Sequence, residues 1–192
     1  MNENEKTLGV FLRGINVNGR TIKMETLQEA FASMGFQEAK TLLATGNVIL
    51  PNVKKSSGTP HDLKTFIEKQ LSQAFKDELF VFIRSRDAIE DICHQSKALS
   101  LSPDVHLYYL FCDNAKMLME LEASFKETAH GPEEQLHIHE GGAFWIVGKG
   151  MTLKSPFGSK VLGSKRYKSF VTSRNVNTLE KMSDKMAQLT IG

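Results

Sequence analysis

Short apolar runs alternate along the chain with longer stretches whose apolar residues recur three and four apart, the patterns of buried strands and of amphipathic helices. Thr7 to Arg13 is apolar and bounded by glycine, and predicts a first strand. A Gly14–Gly19 loop leads to Met24, Leu27, Phe31 and Met34 at helical spacing, with Gly35 ending the helix. Thr41–Ala44 and Val48–Leu50 flank Thr45-Gly46-Asn47, a hairpin signal. Pro51 to Pro60, rich in Ser, Lys and Gly, predicts a loop. Leu63, Phe66, Ile67, Leu71, Ala74 and Phe75 mark a second helix, and Leu79–Ile83 a strand buried on both faces.

The order over residues 7–84 is β-α-β-β-α-β, the ferredoxin-like motif. Right-handed crossovers and short connections leave few other ways to pack it. Ala88–Gln95 predicts a connecting helix, and residues 96–104 have linker composition. The pattern then restarts. Val105–Cys112 reads as a strand, and Met117, Leu118, Leu121 and Phe125 as a helix. Leu136–Glu140 and Ala143–Val147 flank the Gly141-Gly142 turn. Ser155-Pro156 opens a short helix, serine as cap and proline at the first helical position, although Gly158 and Gly163 weaken it. Phe170–Thr172 is a short last strand, and Asn177 with Glu180 resembles a capping box opening a final helix to about Leu189. The predicted fold is α+β, two tandem ferredoxin-like subdomains over residues 1–84 and 104–192. A connecting helix and linker over 85–103 join them, and a terminal helix closes the second.

Composition narrows the class without naming a function. The chain is 41% hydrophobic and 24% charged, as ordinary globular proteins are. A net charge of +2 implies no partner by itself. Cys93 and Cys112 form no metal-spaced motif and read as two reduced, buried thiols. No apolar run approaches the roughly 18 residues of a membrane span. The polar, acidic start Met1–Lys6 is unlike a secretory signal, so a cytoplasmic protein is expected.

The candidate chemistry lies in Arg13–Gly19 and Thr45–Asn47. In a β-α-β-β-α-β sheet the first and third strands are central antiparallel neighbours, so both segments belong at one sheet end, where the first helix also begins. Arg13, Asn16, Asn18, Thr45 and Asn47 would then rim a helix amino terminus, a place suited to a phosphate or carboxylate. The structural reading of the same residues gives the glycines to tight turns, Ile15 to the core, the asparagines to loop backbone, and Arg13 to a nearby carboxylate. Both readings stand at this point.

On these residues the chain resembles a bacterial family known as domain of unknown function 1697. Its members carry "LRGINVGG" after the first strand, where Leu12–Gly19 read LRGINVNG. They carry an "SGN" hairpin, here Thr45-Gly46-Asn47, and "RNWNT" near the end, where Arg174–Thr178 read RNVNT. The resemblance covers nearly the whole chain in order and implies two ferredoxin-like subdomains and no established activity. Asn18 replaces a glycine, Thr45 a serine, and Val176 a tryptophan, which removes an aromatic surface. The matching Arg174, Asn175, Asn177 and Thr178 stand at a predicted helix amino terminus, where anion binding and capping are both open; Asn177 is assigned to capping, and Arg174 and Asn175 join the candidate ligand residues.

Other features add little chemistry. Seven basic and no acidic residues lie between Lys149 and Arg174, with Tyr167 and Phe170 interleaved; residues 113–140 carry seven acids and two lysines. The basic segment is either a solvated face or a track for a nucleic-acid backbone. Sheet-based RNA reading is not expected, because Val48–Leu50 offer no aromatic beside Phe11. The alternation of Tyr108, Tyr109, Phe111, Phe144 and Trp145 assigns several of them to the core. His137 and His139 share one strand face at metal-holding spacing, but His106 lies on a non-neighbouring strand, so they read as an exposed, unliganded pair. No metal or cofactor is expected. No nucleotide-binding fingerprint, catalytic triad or well-placed general base is evident. The expectation is a binder of an anionic ligand at the first loop and the Thr45–Asn47 turn. The alternatives are an enzyme for a small phosphorylated or acidic substrate, a nucleic-acid backbone binder, and an oligomerising module.

Overall fold

A computed structural model describes residues 5–13, 15–17, 20–54 and 58–190. The chain divides into two compact units, Met1–Asp91 with Glu180–Gly192, and Ile92–Leu179.

The first unit holds a four-stranded sheet in the order β4-β5-β1-β6. It is built from β1 (Glu5–Arg13), β4 (Lys40–Leu42), β5 (Asn47–Lys54) and β6 (Phe80–Ser85). All its pairings are antiparallel, which is the ferredoxin-like topology the sequence predicts. Helices α1 (Met24–Ser33) and α2 (Pro60–Phe75) cover one face. Leu27, Phe31, Leu63, Ile67 and Leu71 pack there on Val10, Leu12, Val48, Leu50 and Val81. Strand alternation sends Gly9, Phe11, Asn47, Ile49 and Phe82 to the other face. That face is closed too: Phe11, Ile49 and Phe82 are buried, and Ile89 of α3 (Arg86–Lys97) and Met182 of α5 (Val176–Thr190) press against Gly9. No aromatic platform for stacking bases is therefore left on it.

Two expectations for this unit are corrected. The segment read as a loop contains a small ladder, β2 (Asn16–Val17) with β3 (Arg20–Thr21), pairing Asn16 with Thr21 and Val17 with Arg20. The Asn18-Gly19 pair between them is a strong hairpin signal in sequence and lies outside the described residues. The segment read as a loop from Pro51 is the second half of β5. Leu8 pairs with Leu50 and Lys6 with Val53, so Pro51 and Asn52 together oppose Thr7 in a bulge. A bulge is where a strand tolerates proline, and Asn52 accepts its positive φ of 55°.

Helix α2 opens with a capping box. Thr59 Oγ1 accepts from Asp62 N (3.2 Å), and Asp62 Oδ2 accepts from Thr59 N (2.8 Å) and Thr59 Oγ1 (2.7 Å). These bonds, the Thr59 side chain's first, hold the Asp62 carboxyl below its ordinary value. A depressed folded-state value stabilises above the unfolded-state pKa and is lost as pH falls through the folded-state one. Wild type is expected to melt above Asp62→Ala at neutral pH, with the gap narrowing as the solution is acidified below the carboxylate range; a gap constant with pH contradicts this. Elsewhere α2 reaches the outer edge of the sheet. Val81 N donates to Glu68 Oε1 (2.9 Å) and Leu79 N to Ser72 Oγ (3.2 Å), occupying donors an edge strand would otherwise offer to another chain.

The second unit repeats the topology in the order β10-β7-β9-β8. Its strands are β7 (Val105–Cys112), β8 (Gln135–His139), β9 (Gly142–Gly148) and β10 (Val171–Asn175). Helix α4 (Ala115–Glu127) packs Leu121 and Phe125 over Leu110, Cys112, Trp145, Val147 and Val171. The predicted short helix after Ser155-Pro156 is a π-helical turn, Phe157–Leu162, followed by a 3₁₀ turn at Lys165–Tyr167. Ser155 acts at its start, its Oγ accepting from Gly158 N at 2.9 Å. Tyr109, Phe111 and Phe144 are buried on the opposite sheet face, and Cys93 and Cys112 are buried and form no disulfide, as expected. The last strand is longer and later than predicted, because its pairing with β7 runs from Val171–Cys112 to Asn175–Tyr108. The helix cap moves with it. Asn175 Oδ1, not the Asn177 side chain, accepts at the α5 start, from Asn177 N at 2.9 Å. Among the described residues no helix is long and apolar enough to cross a membrane.

Candidate functional site

The end of the first sheet brings together Arg13, Ile15 and the Thr45–Asn47 turn. Arg13 is the last residue of β1, opposite Phe80, and Phe11 pairs with Asn47. Residues two apart on a strand share a face, so Arg13, Phe11 and Asn47 lie on the same side. Leu12 N donates to Gly46 O at 2.8 Å. Ile15 is buried in the core, and a Cβ built on Gly46 would lie 3.0 Å from Ile15 Cγ2 and 3.0 Å from Leu12 Cβ. The turn therefore needs glycine twice over, for its φ of 70° and for the space Ile15 fills. Phe80 frames this rim without having been singled out in the sequence; its strand register opposite Arg13 is the signal that identifies it.

Asn47 is fully buried and Thr45 exposed. Asn47 Nδ2 donates to Leu42 O (3.0 Å) and to Thr45 Oγ1 (2.8 Å), stitching the turn together. Arg13 is partly buried, and desolvation pushes its guanidinium below the ordinary arginine value. The backbone of Asn16 sits in the small ladder, and Asn18 lies outside the described residues. Helix α1 begins at Met24, with no side-chain cap from Lys23.

Arg174 and Asn175 belong to the second unit. Arg174 is 8% exposed on β10, and its Nη1 donates to Thr172 Oγ1 (3.0 Å) and Ser173 O (2.8 Å). Asn175 serves as the helix cap described above. Of the other basic residues between Lys149 and Arg174, Arg166 pairs with Glu120. Its hydrogen bond holds the Glu120 carboxyl below its usual range. The segment is thus not an unbroken row of cations facing water.

The histidines have ordinary surroundings. His137 Nε2 lies 3.1 Å from Gln135 Oε1. His139 Nδ1 lies 3.2 Å from Tyr109 Oη, whose hydroxyl donates to Glu140 O at 2.7 Å. His106 sits on β7, which is separated from β8 by β9. Among the described residues no group of three or more His, Cys, Asp or Glu is placed to hold a metal ion.

The fold defines an α+β protein of two ferredoxin-like units, with Arg13 and the Thr45–Asn47 turn at one end of the first sheet. Residues 6–144 match the family model described as "Protein of unknown function (DUF1697)", and the chain belongs to that family. Among solved structures it is similar to the conserved bacterial protein SP0830 from Streptococcus pneumoniae, at 18% identity and a TM-score of 0.69 over 94% of this chain and 98% of that one. At that identity the likeness shows the fold alone. No curated protein matches the chain.

Proposed function

We propose that Arg13 and Thr45, with the turn braced by the buried Asn47, bind a small ligand through a phosphate or carboxylate group. The placement of Arg13 carries this reading: it ends β1 two residues beyond Phe11, which pairs with Asn47, so its cation and the Thr45–Asn47 turn share one sheet end. The guanidinium fork also matches both oxyanions geometrically. Thr45, an exposed residue of the turn at the same sheet end, adds a hydroxyl.

Thermal unfolding at constant ionic strength, with inorganic phosphate, pyrophosphate, sugar phosphates and di- and tricarboxylates, tests it. A ligand at a hundred times its Kd adds about 2.7 kcal/mol, enough to move the midpoint by several degrees. Arg13→Gln is expected to abolish the shift, and Arg13→Lys to weaken it by losing the bidentate geometry. The proposal fails if no anion raises the midpoint, or if Arg13→Gln responds as wild type does.

A further inference from the structure

The direction of one hydrogen bond in the turn bears on what the rim can recognise. Asn47 presents one side-chain atom to both Leu42 O, at 3.0 Å, and Thr45 Oγ1, at 2.8 Å. A carbonyl oxygen can only accept, so the atom facing Leu42 must be the amide nitrogen. This fixes the orientation of the amide, which its shape alone leaves ambiguous. The nitrogen carries two hydrogens, one for Leu42 O and one for Thr45 Oγ1. Thr45 therefore accepts in this pair, and its own hydrogen points elsewhere. Thr45 is exposed, and that hydrogen meets no acceptor among the described residues.

We infer that Asn47 sets Thr45 as an outward hydrogen-bond donor, so that the rim offers its hydroxyl hydrogen to a ligand group presenting a bare acceptor oxygen. The inference rests on the anion reading above and deepens it, since it assigns Thr45 a donor role beside the charge of Arg13. Accepting a bond from Asn47 also polarises the hydroxyl and strengthens it as a donor. A phosphate or carboxylate oxygen supplies the shared chemistry, and ionised acceptors form the stronger bonds.

The test titrates inorganic phosphate and acetate separately, at constant ionic strength, into wild type, Thr45→Ser, Thr45→Val and Arg13→Gln. Ligand-free melting of each variant monitors the fold. Thr45→Ser keeps the hydroxyl and is expected to keep wild-type affinity. Thr45→Val is nearly isosteric and is expected to lose about tenfold or more, the worth of a hydrogen bond to a charged group; it also removes an acceptor of the buried Asn47 Nδ2, so its ligand-free midpoint falls and affinities are compared at a temperature where every variant is folded. Response to only one of the two anions identifies which oxyanion the rim takes. If Arg13→Gln loses binding while Thr45→Val retains it, the role of Thr45 is overturned and the anion site stands. If neither anion binds wild type, the anion reading falls and this inference with it.

Discussion

Gly142→Ala is expected to unfold the second sheet under conditions where wild type stays folded. Gly142 lies in β9 opposite Phe111 of β7. A methyl group there would sit 2.0 Å from the Leu110 carbonyl oxygen and 2.9 Å from two ring carbons of Tyr109. Neither neighbour can yield cheaply. The Leu110 oxygen belongs to a strand whose pairing with β9 runs without a break from Val105 to Phe111. Tyr109 is fully buried, wedged against Phe111 and Phe144, and held through its hydroxyl by Glu140 O. Relief therefore requires opening the β7–β9 ladder at the centre of the sheet. The expected loss is about 4 kcal/mol or more, in the range reserved for disrupted cores. Urea unfolding followed by fluorescence measures it. The single tryptophan, Trp145, lies three residues on in the same strand and is buried, so its signal reports this unit. Gly131→Ala, with nothing within 4 Å of the added methyl, is the control. A Gly142→Ala cost within about 0.5 kcal/mol, the range of harmless surface changes, contradicts the assigned packing.

The sequence carried the element order well because each core element follows a simple rhythm. Val10 and Leu12 on one side of β1, with Phe11 between them on the other, are what an apolar run bounded by glycine predicts for a strand closed on both faces. Where the structure departs from the local pattern, distant pairing overrules a local signal. Pro51 is a strand breaker by composition, yet β5 continues through it because Lys6 and Val53 resume the ladder beyond a bulge opposite Thr7. Nothing near Pro51 announces that partner. Asn177 with Glu180 has capping-box spacing, but β10 continues on β7 until Asn175, and the asparagine at the real boundary takes the cap. The small ladder at Asn16–Thr21 is different, because the sequence does mark it, with Asn18-Gly19 between its two strands. The rim was legible in part. Strand order alone places Arg13 and Asn47 at one sheet end, but not the burial of Asn47, the exposure of Thr45 or the direction of the bond between them.

Gly46→Val is expected to destabilise the first unit by about 3 kcal/mol, the sum of two costs. A φ of 70° is open to glycine, whereas a side chain in that region meets its own carbonyl at roughly 1–2 kcal/mol, with β-branched residues the worst placed. The second cost is crowding. The first added carbon already sits 3.0 Å from Leu12 Cβ and from Ile15 Cγ2, and both residues are buried in a closed core. Forcing valine's two methyls into that space adds roughly 1–3 kcal/mol. Gly150→Val separates the terms. Gly150 has a φ of 75°, close to that of Gly46, and nothing within 4 Å of an added Cβ, so it bears the backbone cost alone. Urea denaturation of the two variants therefore measures the contact between Ile15 and the Thr45–Asn47 turn by difference. A clear excess for Gly46→Val means the loop after β1 is fastened to the turn through Ile15, and that Arg13 and Thr45 are held in register by the core beneath them. Equal costs would mean the two segments only pass near each other. A rim so loosely assembled could not hold a guanidinium and a hydroxyl in the fixed relation that recognition of an oxyanion requires.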